Sequence, residues 1–134
     1  MIIVDSSVWI DWFAGKSTPQ VEFFADSLEA VSESFALVDL TYTEVLQGLR
    51  HEKDVHRVEQ VFAAFEVLPL TDMADFRAAA GLYRGARRRG ITIRSTIDCL
   101  IAAVCIRTDY PLLHSDKDFE RLAQLSQLSL VELV

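Results

Sequence analysis

Only two cysteines, Cys99 and Cys105, occur among the 134 residues. They lie six apart in an apolar segment, on different faces of a helix, which excludes a CxxC redox pair and a cysteine zinc cluster. Buried free thiols are the expectation. Histidine is equally sparse: His51 and His56 are five apart, a spacing that fits no metal pair on a helix, and His114 stands alone beside acids. A positive balance is missing too, since the net charge is −7 and the sequence pI about 4.8. Broad electrostatic attraction to nucleic acid is thereby excluded, and any such binding must be local. No apolar run approaches the roughly 18 residues of a membrane span, and no basic region precedes the first apolar residues. A soluble, cytoplasmic protein with no membrane attachment is expected.

What is present is a chain 51% hydrophobic, enough at this length for a sizeable core. One domain over residues 1–134 is the expectation. Ile2–Val4 reads as a buried strand, and Val8, Trp9, Trp12 and Phe13 then form a helical stripe ended by Gly15. Helices are predicted over Val21–Val31, Tyr42–Leu49, Val55–Phe65 and Asp72–Arg89. Ile97–Ile106, apolar on every face, reads as a core helix, and "DFERLAQL" as the last helix. Strands are predicted at Phe35–Val38, at "EVLPL" before the break at Pro69, at "YPLLHSD" and at a closing "LSLVEL". Strands separated by helices argue for an α/β fold with a parallel sheet covered on both faces.

Acids recur at the starts of these helices. Asp5 follows the first strand, Glu44 lies in the first turn of the helix after the second, Asp98 heads the core helix, and Asp116 and Asp118 precede the last helix. Each has a simple explanation as a cap. Thr41-x-x-Glu44, Ser95-x-x-Asp98 and Ser115-x-x-Asp118 match the capping box, and Asp5 suits an N-cap. The second explanation is chemical. In a parallel α/β sheet, helices that follow strands start at the carboxyl edge, where ligands bind, so acids after separate strands can converge. Converging carboxylates repel one another unless a cation joins them, and an all-oxygen set without His or Cys selects Mg²⁺ or Mn²⁺. Such a centre suits metal-assisted phosphoryl transfer.

At these residues the sequence resembles a known family. "IIVDSSVWID", "YTEVLQGL", "RSTIDCLIAA" and "LLHSDKDF" resemble, in order and spacing, the four acidic motifs of the PIN domain, and more closely those of VapC toxins of VapBC toxin–antitoxin pairs. The resemblance runs from residue 1 to about residue 125. It implies a PIN-like three-layer sandwich with a five-stranded parallel sheet, and a Mg²⁺- or Mn²⁺-dependent endoribonuclease. Carried over, Asp5, Glu44, Asp98 and Asp116 match the acidic quartet that is both catalytic and metal-holding. Ser6 matches the small hydroxyl after the first acid, and Asp118 the second acid of the DxDF signature. With Ser115 and Asp118 capping the last helix, Asp116 would face the metal. Arg87, Arg88, Arg89 and Arg94 become candidate RNA contacts in place of a merely solvated helix face. The resemblance also implies a VapB antitoxin that silences the enzyme, a homodimer, and a heterotetramer or larger assembly with the antitoxin. Transfer RNA is the commonest substrate class among similar toxins. Side chains near Trp9, Trp12 and Phe13 would line the antitoxin groove or fill the core.

Three rivals differ in what they need. A haloacid-dehalogenase-type phosphatase requires a second acid two residues after the first, where Ser7 stands. A PIN-type nuclease outside a toxin–antitoxin system would share the whole site. A non-catalytic protein-binding module would use the acids only as caps.

Overall fold

The structure, a computed structural model, describes residues 1–133. Its strands are β1 (Ile2–Val4), β2 (Phe35–Val38), β3 (Glu66–Leu68) and β4 (Leu112–Leu113). Helices α1 (Ser6–Phe13) and α2 (Pro19–Ala30) follow β1, and α3 (Asp39–Gln47) and α4 (Glu52–Phe62) follow β2. After β3 come α5 (Met73–Arg88) and α6 (Thr96–Thr108), and α7 (Lys117–Gln124) follows β4. The strands form one parallel sheet in the order β3-β2-β1-β4.

Strand alternation divides the core. Ile3, Val38 and Leu112 point to the face covered by α5, α6 and α7, while Ile2, Val4, Leu37 and Leu113 point to the face covered by α1 to α4. The result is the expected three-layer α/β/α architecture. The fifth strand, however, is reduced to a single parallel bridge between Leu112 and Leu130. β4 itself offers only two residues to pair with, so the closing segment finds no longer edge to extend.

The apolar stripe of α1 explains its angle. Trp9 is fully buried, meets Phe24, Phe62 and Phe65 edge-on at 5.0 to 5.1 Å, and donates its indole N–H to the Val4 carbonyl at 3.0 Å. Burying such a side chain contributes on the order of 3 kcal/mol, and the hydrogen bond satisfies its one polar group. Trp9 therefore fills the core and pins α1 to the end of β1. On the other face, α6 is buried from Cys99 to Cys105, and both cysteines are free thiols as expected. Its burial aims the helix start at the sheet edge.

β1 lies at the centre of the sheet. The chain moves outward from it through β2 to β3, then returns to lay β4 on its other side. That reversal opens a crevice at the carboxyl ends of β1 and β4, the place where open parallel sheets bind ligands.

Candidate active site

Asp5 leaves β1 with an extended backbone and caps α1, its Oδ2 accepting from the Ser7 N–H at 3.2 Å and from the Ser7 hydroxyl at 2.7 Å. The other oxygen, Oδ1, is buried and has no hydrogen-bond partner among the described residues. Ser7 Oγ in turn accepts from the Ser115 N–H at 3.2 Å, which ties the end of β1 to the segment after β4. Ser6 is the hydroxyl that the family resemblance implies, but Ser7 holds Asp5. Ser6 faces Glu44. The missed signal is the geometry of the cap, since an N-cap acid accepts from the second residue after it and that residue here carries a hydroxyl.

Glu44 is not in the first turn of its helix. α3 begins at Asp39 with Val38 as a cap that lacks a side-chain bond, which puts Glu44 in the second turn and Thr41 inside the helix with an unpartnered buried hydroxyl. The expected Thr41–Glu44 capping box does not form. Asp39 is bound elsewhere, accepting from the Leu70 N–H at 3.3 Å. Glu44 Oε1 is left buried and unpartnered, like Asp5 Oδ1.

Ser95 caps α6 as expected, accepting from the Ile97 N–H at 3.2 Å. Asp98 is thereby free of capping duty and half-buried. At α7 the expectation reverses: Asp116, rather than Ser115, is the N-cap, its Oδ1 accepting from the Asp118 N–H at 2.9 Å. Asp118 is fully buried beneath it. Its oxygens accept from the Arg94 N–H at 3.0 Å, Arg94 Nε at 3.3 Å and Arg121 Nη1 at 2.6 Å. His114 contributes no ligand spacing but accepts the Asp116 N–H on Nδ1 at 3.0 Å.

Asp5, Glu44, Asp98 and Asp116 thus line one open cleft of about 440 Å³, together with Ser6, Ser7 and Arg94. Oxygens of Asp98, Asp116 and Asp118 lie within 4.8 Å of one another. Of these three acids, Asp118 has both oxygens committed to arginines, so it braces the cleft wall. Arg94 reaches across it, with Nη2 3.0 Å from Asp116 Oδ1. Arg87, Arg88 and Arg89, at the end of α5, do not line this cleft.

The electrostatics follow from the crowding. Burial, then the Asp5 charge, then Asp116, pushes the Asp98 carboxyl up to about 7. Burial also raises Asp5, against the hydrogen bonds from Ser7, and burial followed by the Asp5 charge raises Glu44. Two buried unpartnered oxygens among mutually repelling acids are a costly arrangement for a bare fold, and a divalent cation removes both costs. The donor set, oxygen throughout, fits a hard cation.

The raised carboxyls set a pH dependence. In EDTA the folded chain keeps a proton on Asp98 between about pH 4 and about pH 7 that the unfolded chain has released. Stability from this group therefore falls as pH rises through that window and levels off above it. His114, lowered chiefly by burial, acts in the opposite sense below about pH 6.5. Melting curves of wild type and Asp98→Asn against pH isolate the carboxyl: wild type should lose more stability than the variant between pH 4 and 7. Parallel curves would show that Asp98 does not titrate in this range.

Comparison with known proteins bears on the same residues. The PIN domain family model matches residues 2–125. Ribonuclease VapC11 of Mycobacterium tuberculosis is 34% identical over 128 residues, covering 96% of each chain. In fold, the chain is similar to FitAcB from Neisseria gonorrhoeae, with a TM-score of 0.76 at 21% identity over 98% of this chain and 97% of that one. It is also similar to VapBC2 from Rickettsia felis bound to a promoter DNA fragment, with a TM-score of 0.75 at 14% identity over 98% of each. The family match spans the stretch that carries all four acids, and the chain belongs to the PIN-domain family, among its VapC ribonucleases.

Proposed function

We propose that the chain is a divalent-metal-dependent endoribonuclease, the toxin of a VapBC-type pair, that cleaves RNA in the cytoplasm to stop translation. One observation carries the metal-site reading: four acids from separate parts of the chain meet in one cleft, and two of them bury an oxygen with no partner. Capping does not account for this. Asp5 and Asp116 are caps, but Glu44 lies in the second turn of α3 and Ser95 does the capping for Asp98. A protein-binding module has no use for those two.

Asp5, Glu44, Asp98 and Asp116 would hold Mg²⁺ or Mn²⁺. When bound, the cation lowers the pKa of a water and offsets charge developing on phosphate oxygens. The chain's own residues do the rest. Ser7 fixes the rotamer of Asp5 by donating its hydroxyl to Oδ2, which leaves Oδ1 without a partner among the described residues, and Ser6 lies beside Glu44. The Ser95 cap points Asp98 out of the apolar α6. Arg94, mostly exposed at the rim, offers guanidinium N–H groups to a phosphate.

The antitoxin reading has its own support. An apolar cavity of about 240 Å³, lined by Ile10, Phe13, Val45, Leu49 and Val58, adjoins the acidic cleft through Ile10, which borders both. A partner segment with an apolar side chain followed by an arginine would fill the first and neutralise the second. On α5, Met73 and Phe76 are exposed beside a groove that includes Ala79, Tyr83 and Leu100, a face suited to the proposed homodimer.

The RNA proposed is transfer RNA, as among similar toxins. Sequencing new RNA ends in cells that express the chain tests this. Wild type should generate ends within tRNA, and Asp98→Asn should generate none. Ends confined to ribosomal RNA would correct the substrate; identical ends in both would remove the nuclease reading.

A further inference from the structure

The geometry points to a second substrate-binding site beside the acidic one, a basic cleft that holds the RNA phosphate adjoining the cleaved linkage. It rests on the ribonuclease reading and extends it. The cleft, about 460 Å³, is lined by Ser7, Arg94, Ser115, Asp116, Lys117 and Arg121. Ser7, Arg94 and Asp116 also line the acidic cleft, so the two share a wall.

Three cations gather at this one place in a chain of net charge −7. The lining itself carries three cations, Arg94, Lys117 and Arg121, and one carboxylate, Asp116, with Asp118 buried behind it. Asp118 supplies the order. Fully buried, it takes one side-chain N–H from each arginine at 3.3 and 2.6 Å, while the arginine side chains remain 72% and 44% exposed. A guanidinium has five N–H donors, so each keeps donors for a ligand in a fixed orientation. Lys117 is exposed and enters no ion pair among the described residues.

The ligand chemistry follows from continuity. An RNA strand whose scissile phosphate sits among the four acids must carry its neighbouring phosphate over the rim, and on this side the rim is basic. A phosphodiester there gains charge-assisted hydrogen bonds from planar donors. The helix-end arginines Arg87, Arg88 and Arg89 have no such link to the acidic cleft, whereas Lys117 and Arg121, which resemble ordinary helix-surface charges in the sequence, do.

The test uses Lys117, whose side chain can be changed without disturbing the Asp118 network. A short single-stranded RNA spanning a mapped cleavage site is titrated onto wild type, Lys117→Ala and Lys117→Glu in EDTA at several salt concentrations. Cleavage kinetics are measured in Mg²⁺. Lys117→Ala should weaken binding about threefold to fivefold and lower the salt slope by about 0.7, the value for one phosphate contact on a single strand. Lys117→Glu should weaken it further, and both should raise KM more than they lower kcat. An RNA with a neutral methylphosphonate at the adjoining linkage should bind wild type less well and Lys117→Ala no worse than the unmodified strand. If wild type cleaves RNA while Lys117→Glu binds it with unchanged affinity and slope, the basic cleft is not a phosphate site. If wild type cleaves no RNA in Mg²⁺, the ribonuclease reading fails and this site with it.

Discussion

Asp5→Asn should lower RNA cleavage by about 10² to 10³, the several kcal/mol that a bound cation contributes to charge stabilisation, while leaving the metal-free fold as stable as wild type or more so. Two facts separate the effects. The Asp5 oxygen that caps α1 accepts from Ser7, and asparagine caps a helix about as well as aspartate. The other oxygen is buried without a partner, beside Glu44 and Asp98. An amide in that position removes a charge that raises both neighbours and can donate a hydrogen bond to them. In EDTA the variant should therefore melt no lower than wild type. In millimolar Mg²⁺ wild type should gain stability and the variant less, because a ligand stabilises the state that binds it in proportion to occupancy. An equal Mg²⁺-dependent shift in both proteins, or cleavage at the wild-type rate, would remove Asp5 from the metal site. A variant that melts well below wild type in EDTA would mean that the carboxylate is structural.

How such a site forms was partly legible in the residues. The alternation of short apolar runs with amphipathic segments gave the α/β class and the order of the elements, because core burial on both faces leaves no other way to place Ile2–Val4 and the all-apolar α6. Four acids at helix starts indicated a cleft at the carboxyl edge. The details that escaped have separate causes. Asp5, Asp72, Ser95 and Asp116 all cap their helices by accepting from the N–H two residues on, not three, so a pair spaced as a capping box misplaced the roles of Ser115 and Asp118. Nor does spacing alone show where α3 starts, since Val38 offers no side-chain cap. The fifth strand failed for a different reason: "LSLVEL" has the alternation of a strand, but strand length depends on a partner, and β4 pairs over two residues. The partnership of Asp118 with Arg94 spans 24 positions and leaves no periodic trace.

That partnership carries the second large effect. Asp118→Ala should destabilise the fold by about 3 kcal/mol, a substantial share of the roughly 5–15 kcal/mol of a typical domain. Asp118 is fully buried and accepts three hydrogen bonds, two of them from guanidinium groups. Removing it leaves the Arg94 N–H without its acceptor and cuts the tie between the loop before α6 and the start of α7. The loss stays at the lower end for a broken buried pair because both guanidinium groups can turn to water. Arg121→Ala, which leaves Asp118 with both Arg94 bonds, should cost about 1 kcal/mol. The pH dependence has a definite sign. Burial alone would raise the Asp118 pKa, but the Arg94 N–H, then Arg121 and the Arg94 guanidinium, outweigh it and hold it below the usual carboxylate range. Its stabilisation is therefore complete above about pH 4 and is lost as pH falls through the lowered value. Urea denaturation of wild type and Asp118→Asn in EDTA should show a gap at pH 7 that narrows below pH 4, opposite in direction to the Asp98 effect. A gap under 1 kcal/mol at pH 7 would show that the buried carboxylate is not what orders Arg94. The same variant reads out the cleft: once released from Asp118, Arg94 keeps only Asp116, and with its guanidinium free to lie across the acids it should weaken Mg²⁺ binding even at temperatures where the chain is fully folded.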